Sequence, residues 1–192
     1  MNLRAIRVIL CLLLFLAVGG PCSRAGDSQP TEYQVKAAFV FNFAKFVEWP
    51  SADFPSADTP IRIGVVCESG SVFETDLKST TANKTINGRR LVVNRVTTPQ
   101  EMKGCHILFV CRSEKSEKQE KRRLEELFQS LRGGSVLTIG ESDAFIPAGG
   151  IINFVTEDRK IRFEIKDAAA RQAGLKISSK LLTLARKREG ET

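Results

Sequence analysis

The sequence predicts an α/β protein: a mostly parallel sheet flanked by helices on both faces, with a C-terminal antiparallel β-hairpin. Three observations carry that expectation. Short, nearly continuous apolar segments recur, as in strands covered on both faces. Helical patterns separate them, so that strand and helix alternate four times. Near the end, two strand-like segments are joined by only three residues, too few for a crossover.

The chain opens with a different kind of segment. Met1 to Arg7 carries two arginines and no acid. Val8 to Val18 is uninterrupted apolar, and Gly19-Gly20-Pro21-Cys22-Ser23-Arg24-Ala25 is small and turn-forming. That order is the signature of a cleavable secretory signal. Eleven apolar residues rise only about 17 Å as a helix, short of a bilayer core. Ser23 and Ala25 suit positions −3 and −1 of a peptidase site, which places the cut between Ala25 and Gly26 and gives a signal at 1–25. Cys22 as a lipidated residue is the weaker alternative, because Pro21 precedes it where a small residue is wanted.

Gly26 to Pro30 is a polar leader. From Thr31, a reasonable N-cap, apolar residues recur at three- and four-residue steps through Val35, Ala38, Phe39, Phe43 and Phe46, which predicts a helix running to Trp49 before Pro50. Phe41 and Val47 widen its apolar face, as in a helix docked on a sheet. Ser51 to Pro60 reads as a loop and Ile61 to Cys67 as the first strand. A short helix is expected over Ser71–Ser79, an Asn87-Gly88 turn next, and a strand over Arg89–Val96. A helical turn follows Pro99, and Cys105 to Cys111 is the third strand. Ser116 to Leu131 is amphipathic, with Leu124, Leu127, Phe128 and Leu131 on one side; Gly133-Gly134 stops it before the strand Ser135–Ile139. Ile151–Thr156 and Lys160–Lys166, joined by Glu157-Asp158-Arg159, form the hairpin. Helices over Asp167–Ala173 and Ser178–Arg186 complete the chain.

Removal of residues 1–25 leaves 167 of 192 residues, read as a single domain over 26–192. A chain of that size buries about 70% of its unfolded surface. Three arginines and no acids leave with the signal, so the formal charge falls from +7 to +4. The basic runs Lys115–Arg123 and Arg186–Arg188 have no aromatic residues between them and read as solvated helix faces, not as a nucleic-acid surface.

Of five cysteines, Cys11 and Cys22 leave with the signal, and Cys67, Cys105 and Cys111 remain in a compartment that permits disulfides. If the first and third strands are parallel neighbours, Cys67 and Cys111 both lie at their carboxyl ends. Cys105 then sits on the order of 17–20 Å away at the other end. Cys67–Cys111 is therefore favoured over Cys67–Cys105; unpaired thiols packed as small core residues are the remaining alternative.

Ligands in open parallel sheets sit outside the carboxyl ends of the strands. The residues expected there are Glu68, then Arg112, Ser113 and Glu114, then Gly140, Glu141 and Ser142. Glu68, Arg112, Ser113 and Glu141 are the ligand-binding candidates; the alternative is that they cap helices and turn the chain. No phosphate-cradling loop, nucleophile elbow or metal-ligand spacing is present. His106 is the only histidine and reads as structural. Glu141 and Asp143 form a carboxylate pair of the kind found near many surface loops. No catalytic residue, metal or cofactor is expected. Phe145 and Ile146, adjacent in the loop Asp143–Gly149, are the partner-binding candidates, with a core-facing role as the alternative.

Several phrases carry a family resemblance. Glu32-Tyr33-Gln34-Val35-Lys36-Ala37-Ala38-Phe39, continuing to Phe43-Ala44-Lys45-Phe46-Val47-Glu48-Trp49-Pro50, resembles the opening helix of the YfiR-like periplasmic proteins. Cys105-His106-Ile107-Leu108-Phe109, Val136 to Glu141, Gly149-Gly150-Ile151-Ile152-Asn153-Phe154, Ile161 to Ile165 and Ala173 to Leu182 are similar to later segments of that family, in the same order. The resemblance implies a regulator without catalytic apparatus. It would bind the periplasmic sensor domain of an inner-membrane diguanylate cyclase and repress it, and an outer-membrane peptidoglycan-associated lipoprotein could sequester it. Cyclic-di-GMP signalling and biofilm formation would follow, and members can form homodimers. The competing expectation is a periplasmic small-molecule binder using the crevice at the strand ends.

Overall fold

The computed structural model describes residues 30–67 and 71–186. The proposed signal, Cys11, Cys22 and the ligand candidate Glu68 lie outside the described residues.

Thr31 caps helix α1 (Glu32–Phe43) with a capping box: its hydroxyl accepts the Gln34 N–H while the Gln34 side chain accepts the Thr31 N–H. The helix stops six residues before the expected Trp49. Val47–Glu48 forms a two-residue strand, β1, antiparallel to β9 (Lys176–Ile177), and the Ser178 N–H donates to the Phe46 carbonyl. The apolar periodicity of Phe46 and Val47 suits either structure, and pairing with a segment far along the chain decides in favour of the strand.

The remaining elements follow the expected order: β2 (Ile61–Val66), α2 (Val72–Thr81), β3 (Thr85–Ile86), β4 (Arg89–Arg95), α3 (Pro99–Lys103), β5 (Ile107–Val110), α4 (Glu117–Ser130), β6 (Leu137–Gly140), α5 (Phe145–Ala148), β7 (Ile152–Glu157), β8 (Lys160–Ile165), α6 (Asp167–Gln172) and α7 (Ser179–Leu184). Two short elements were not expected, β3 and α5. Two hairpins turn on residues with positive φ, Asn87-Gly88 (51° and 78°) and Asp158-Arg159 (49° and 59°). Two-residue loops of this hand match the twist of the flanking strands.

Seven strands form one sheet in the order β3-β4-β2-β5-β6-β7-β8. The five central strands are parallel, and β3 and β8 are antiparallel edges. Every side chain of β5 and β6 is buried, as strands covered on both faces require. Alternate residues serve two separate cores. Ile107 and Phe109 join Ala37, Val40 and Phe43 of α1 and Phe73 and Leu77 of α2. Leu108 and Val110 face Met102 of α3, Leu124 and Leu127 of α4, and Phe145 of α5. In the first core Phe43 packs edge-on to Phe163, centroids 4.9 Å apart, and Phe73 stacks on Phe109 at 3.8 Å.

Among the parallel strands the order is second, first, third, fourth, fifth. The connection from β2 leads to β4 on one side, and the chain then returns to β5 on the other. The carboxyl ends of β2 and β5 therefore diverge at the topological switch point, where doubly wound folds open a crevice.

Candidate functional site

At the switch point the crevice is bridged. Val66 and Val110 are in register, so Cys67 and Cys111 emerge side by side and form a disulfide with Cα atoms 5.0 Å apart. This is the pairing expected over Cys67–Cys105. Cys105 is a free, buried thiol that donates to the Glu101 carbonyl at 3.2 Å. Burial pushes its pKa up to about 11, so it stays protonated and unreactive.

The crevice continues along the ends of β5, β6 and β7 as a cavity of about 480 Å³. Its centre is an ion pair that no single stretch of sequence displays. Lys36, one turn into α1, is 5% exposed. Its Nζ lies 2.6 Å from Glu141 Oε2 and 2.5 Å from Glu32 Oε1. The Lys36 and Glu141 side chains are each 6% exposed, whereas Glu32 is 55% exposed. Burial works against the Lys36 charge, but hydrogen bonds to Glu141 and Glu32 outweigh it and hold the ammonium above the usual lysine range. The second Glu141 oxygen accepts the backbone N–H of Arg112 at 3.2 Å. Both carboxylate oxygens are thus engaged, one by a buried cation and one by the loop after β5. Burial is the main cause of a raised Tyr33 pKa beside them, with the Glu141 charge second.

The rim is solvated. The Arg112 guanidinium reaches Asp143 at 3.3 Å, with side chains 59% and 89% exposed. On the far wall Arg186 bonds Glu164 and Glu157 at 3.3 and 3.6 Å. Three basic and three acidic side chains face the cavity (Lys36, Arg112, Arg186; Glu32, Glu141, Asp143). The two carboxylates weighed as a pair therefore have separate environments: Glu141 is buried and tied to Lys36, and Asp143 is open to water. A cavity of this volume and balance could accept a small polar molecule carrying both charges.

Arg112 and Glu141 are thus brought together, and Ser113 is not. The Ser113 hydroxyl turns away to donate to Glu120, a carboxylate buried in α4 and forked by Arg123 at 2.8 Å on both oxygens. Arg123 also donates to the Cys111 carbonyl at 3.2 Å, which ties the disulfide end of β5 to α4. Burial opposes ionisation of Glu120, but the bonds from Arg123 and Ser113 outweigh it and lower its pKa. Ser113 does not cap the helix; Ser116 does, with Gln119 completing the box.

Phe145 and Ile146 are not an exposed pair. They are 1% and 3% exposed, in the short helix α5. The Phe145 ring lies between Gly140 and Gly150, where a Cβ on either glycine would overlap it, and it meets Phe128 edge-on at 5.2 Å. The core-facing alternative holds, because two glycines open the space the ring fills.

His106 is structural in detail. Its Nδ1 accepts the Arg62 N–H at 3.1 Å and its Nε2 lies 3.2 Å from the Asp53 carbonyl, which makes Nε2 the protonated nitrogen. The ring stacks on Phe54 at 4.5 Å, and the Trp49 indole donates to the His106 carbonyl at 3.0 Å. Burial is the main cause of a pKa below the ordinary histidine range.

Lys36, Tyr33 and Glu32 were missed as site residues. The available signal was a lysine on the apolar side of α1, between Tyr33, Ala37 and Val40, where an unpaired charge would be costly.

Comparison with known proteins adds the following. A family profile described as YfiR/HmsC-like matches residues 33–186. A search of the curated proteins finds no match. Among solved structures, a conserved domain protein from Vibrio cholerae O1 biovar eltor superposes with a TM-score of 0.52 at 13% identity. The match covers 82% of this chain and 60% of that one, a likeness of fold. Among the described residues, no helix is long and apolar enough to cross a membrane.

Proposed function

Because the chain belongs to the YfiR/HmsC-like family, we propose that it is a periplasmic regulatory binding protein that represses a membrane-bound diguanylate cyclase through the cyclase's periplasmic sensor domain. Residues 1–25 are, on this reading, a signal removed after export, and residues 26–192 are the working domain. An outer-membrane peptidoglycan-associated lipoprotein would compete for the same protein. The observation that carries the reading is the family match over nearly all of the described chain. The chemistry at the strand ends agrees with it: both oxygens of Glu141 are engaged, so that centre holds the crevice together and offers no free base.

The partner-facing surface is proposed at the β7–β8 hairpin and the C-terminal helices. With Phe145 and Ile146 buried, its apolar anchor is Leu184, 69% exposed at the end of α7. The test is capture of the sensor domain by the purified protein. Binding that weakens at least about tenfold in Leu184→Asp, with an unchanged unfolding midpoint, supports the placement. Unaltered affinity removes Leu184 from the interface, and failure of the unmodified protein to bind removes the regulatory reading.

The cavity beside Lys36 favours a second reading, a periplasmic binder of small zwitterionic molecules. A thermal-shift screen over amino acids, nucleotides and vitamins separates the two: a stabilised midpoint that disappears in Arg112→Ala supports ligand binding, and a flat screen opposes it.

A further inference from the structure

We propose that the open edge of β4 is a docking site for an extended, acidic segment of a protein partner, added to the sheet as a further strand. The inference rests on this edge alone and is independent of the regulatory reading. β3 is only two residues long and pairs with Arg89 and Arg90 of β4. From Leu91 to Arg95, β4 pairs with β2 on one side, and among the described residues no strand lies on the other. The Val96 N–H donates to the Val65 carbonyl at 3.2 Å, toward β2. Backbone direction alternates along a strand, so the amides and carbonyls of Leu91, Val93 and Arg95 face outward.

A cavity of about 460 Å³ runs along this edge, between it and the C-terminal end of α2. Leu91 and Val93 form its apolar floor, and Lys78, Lys84 and Arg90 its charged walls; no acidic residue lines it. One acid stands nearby, Glu74, already bonded to Lys78 at 2.7 Å and Arg95 at 3.2 Å. The Lys84 ammonium lies over the Phe41 ring, 4.8 Å from its centre, with Lys45 4.2 Å from the same centre. Neither Lys84 nor Arg90 has a carboxylate within ion-pair distance among the described residues. Positive charge is thus held beside unpaired backbone groups.

Those two properties select the occupant. A row of alternating donors and acceptors is matched by another polypeptide backbone, and the surrounding charge calls for acidic side chains on it. A second copy of this chain fits poorly. Antiparallel pairing of β4 with itself would bring two copies of the same basic edge together, Lys84 and Arg90 of each with no acidic residue lining the cavity between them, and like charges repel. An anionic membrane would answer the charge and leave the backbone edge unpaired. Basic residues also guard exposed edges against aggregation, a role that predicts no acidic ligand.

The probe is a peptide of alternating valine and glutamate, about seven residues long, titrated into the purified protein and followed by fluorescence anisotropy and residue-resolved amide exchange. Saturable binding is expected, with slowed exchange at Leu91 and Val93, and no binding of the valine–lysine counterpart or of a peptide N-methylated at alternate residues. Lys84→Glu combined with Arg90→Glu should weaken the acidic peptide about tenfold or more, with an unchanged unfolding midpoint because both side chains are exposed. Absence of saturable binding, equal binding by the charge-reversed variant, or protection elsewhere than β4 overturns the proposal. Binding of vesicles rich in anionic lipid together with failure of the peptide would do the same, assigning the charge to a membrane.

Discussion

Replacement of Lys36 by methionine removes a charge at the centre of the strand-end crevice while keeping the length and apolar stem of the side chain. Glu141 would remain 94% covered in its side chain, with the Arg112 N–H as its one direct partner from the present arrangement. Breaking a buried pair by removing one partner costs about 3–5 kcal/mol, mostly because the other charge is stranded. For a domain of this size each kcal/mol lowers the midpoint by roughly 2–4 °C, so Lys36→Met should lose about 6–20 °C. Removing both charges together, Lys36→Met with Glu141→Leu, should recover much of that loss, since an apolar pair of similar volume tolerates burial. Glu32→Ala should cost under about 1 kcal/mol because its carboxylate is half in water. Urea unfolding of these three variants, the single variant Glu141→Leu and the unmodified protein gives the coupling free energy directly. Additive losses in the double variant, or a Glu32→Ala loss equal to that of Lys36→Met, would mean that the Lys36–Glu141 contact does not organise the crevice.

Three further outcomes follow from the same geometry. His106 is held neutral chiefly by burial, so its folded pKa lies below the unfolded value of about 6.5; the unfolded chain binds the proton first, and stability should fall as pH drops below about 6.5 toward the folded value. His106→Gln should flatten stability against pH in that window, whereas the contribution of Glu120, whose pKa is lowered, is present above and lost below about pH 4.3; an unchanged slope in His106→Gln contradicts the assignment. Paired replacement of Cys67 and Cys111 by serine opens a separation of 44 residues and should cost about 4 kcal/mol on the chain-entropy estimate. In the intact protein, alkylation with mass detection should find Cys105 alone among these three, and only after denaturation; labelling of Cys67 in the folded, unreduced protein contradicts the bridge. Gly140→Ala pushes a methyl group into the Phe145 ring and should cost about 1–3 kcal/mol, whereas in a Phe145→Ala background the same change should add almost nothing; equal costs in the two backgrounds would show that the ring is not what the glycine accommodates.

Much of the fold was legible because its signals are local. The nearly continuous apolar runs at Ile61–Val66, broken by the exposed Arg62, and at Ile107–Val110 belong to strands covered on both faces, and the short connection after Glu157 could only be a hairpin. The Cys67–Cys111 bridge was legible as well, since adjacency of two parallel strands brings their ends together. What failed was decided at long range. The chain from Ala44 to Trp49 carries a helical pattern, yet Val47–Glu48 pairs with Lys176–Ile177. Phe145 and Ile146 read as a loop pair, yet glycines on either side of the ring create the space that buries it. At the site, Arg112 and Glu141 were anticipated from the topology of parallel sheets. Lys36, the buried counter-charge of Glu141, lies 105 residues from it and had to wait for the packing of α1.

The most direct measurement of the proposed regulatory role is the rate of cyclic-di-GMP synthesis by a full-length membrane-bound diguanylate cyclase of the same organism that carries a periplasmic sensor domain, reconstituted in vesicles with that domain accessible. Addition of the purified protein should lower that rate in a saturable way, and a cyclase lacking the sensor domain should not respond. An undiminished rate, with the sensor domain folded and the protein in excess, would contradict repression by capture.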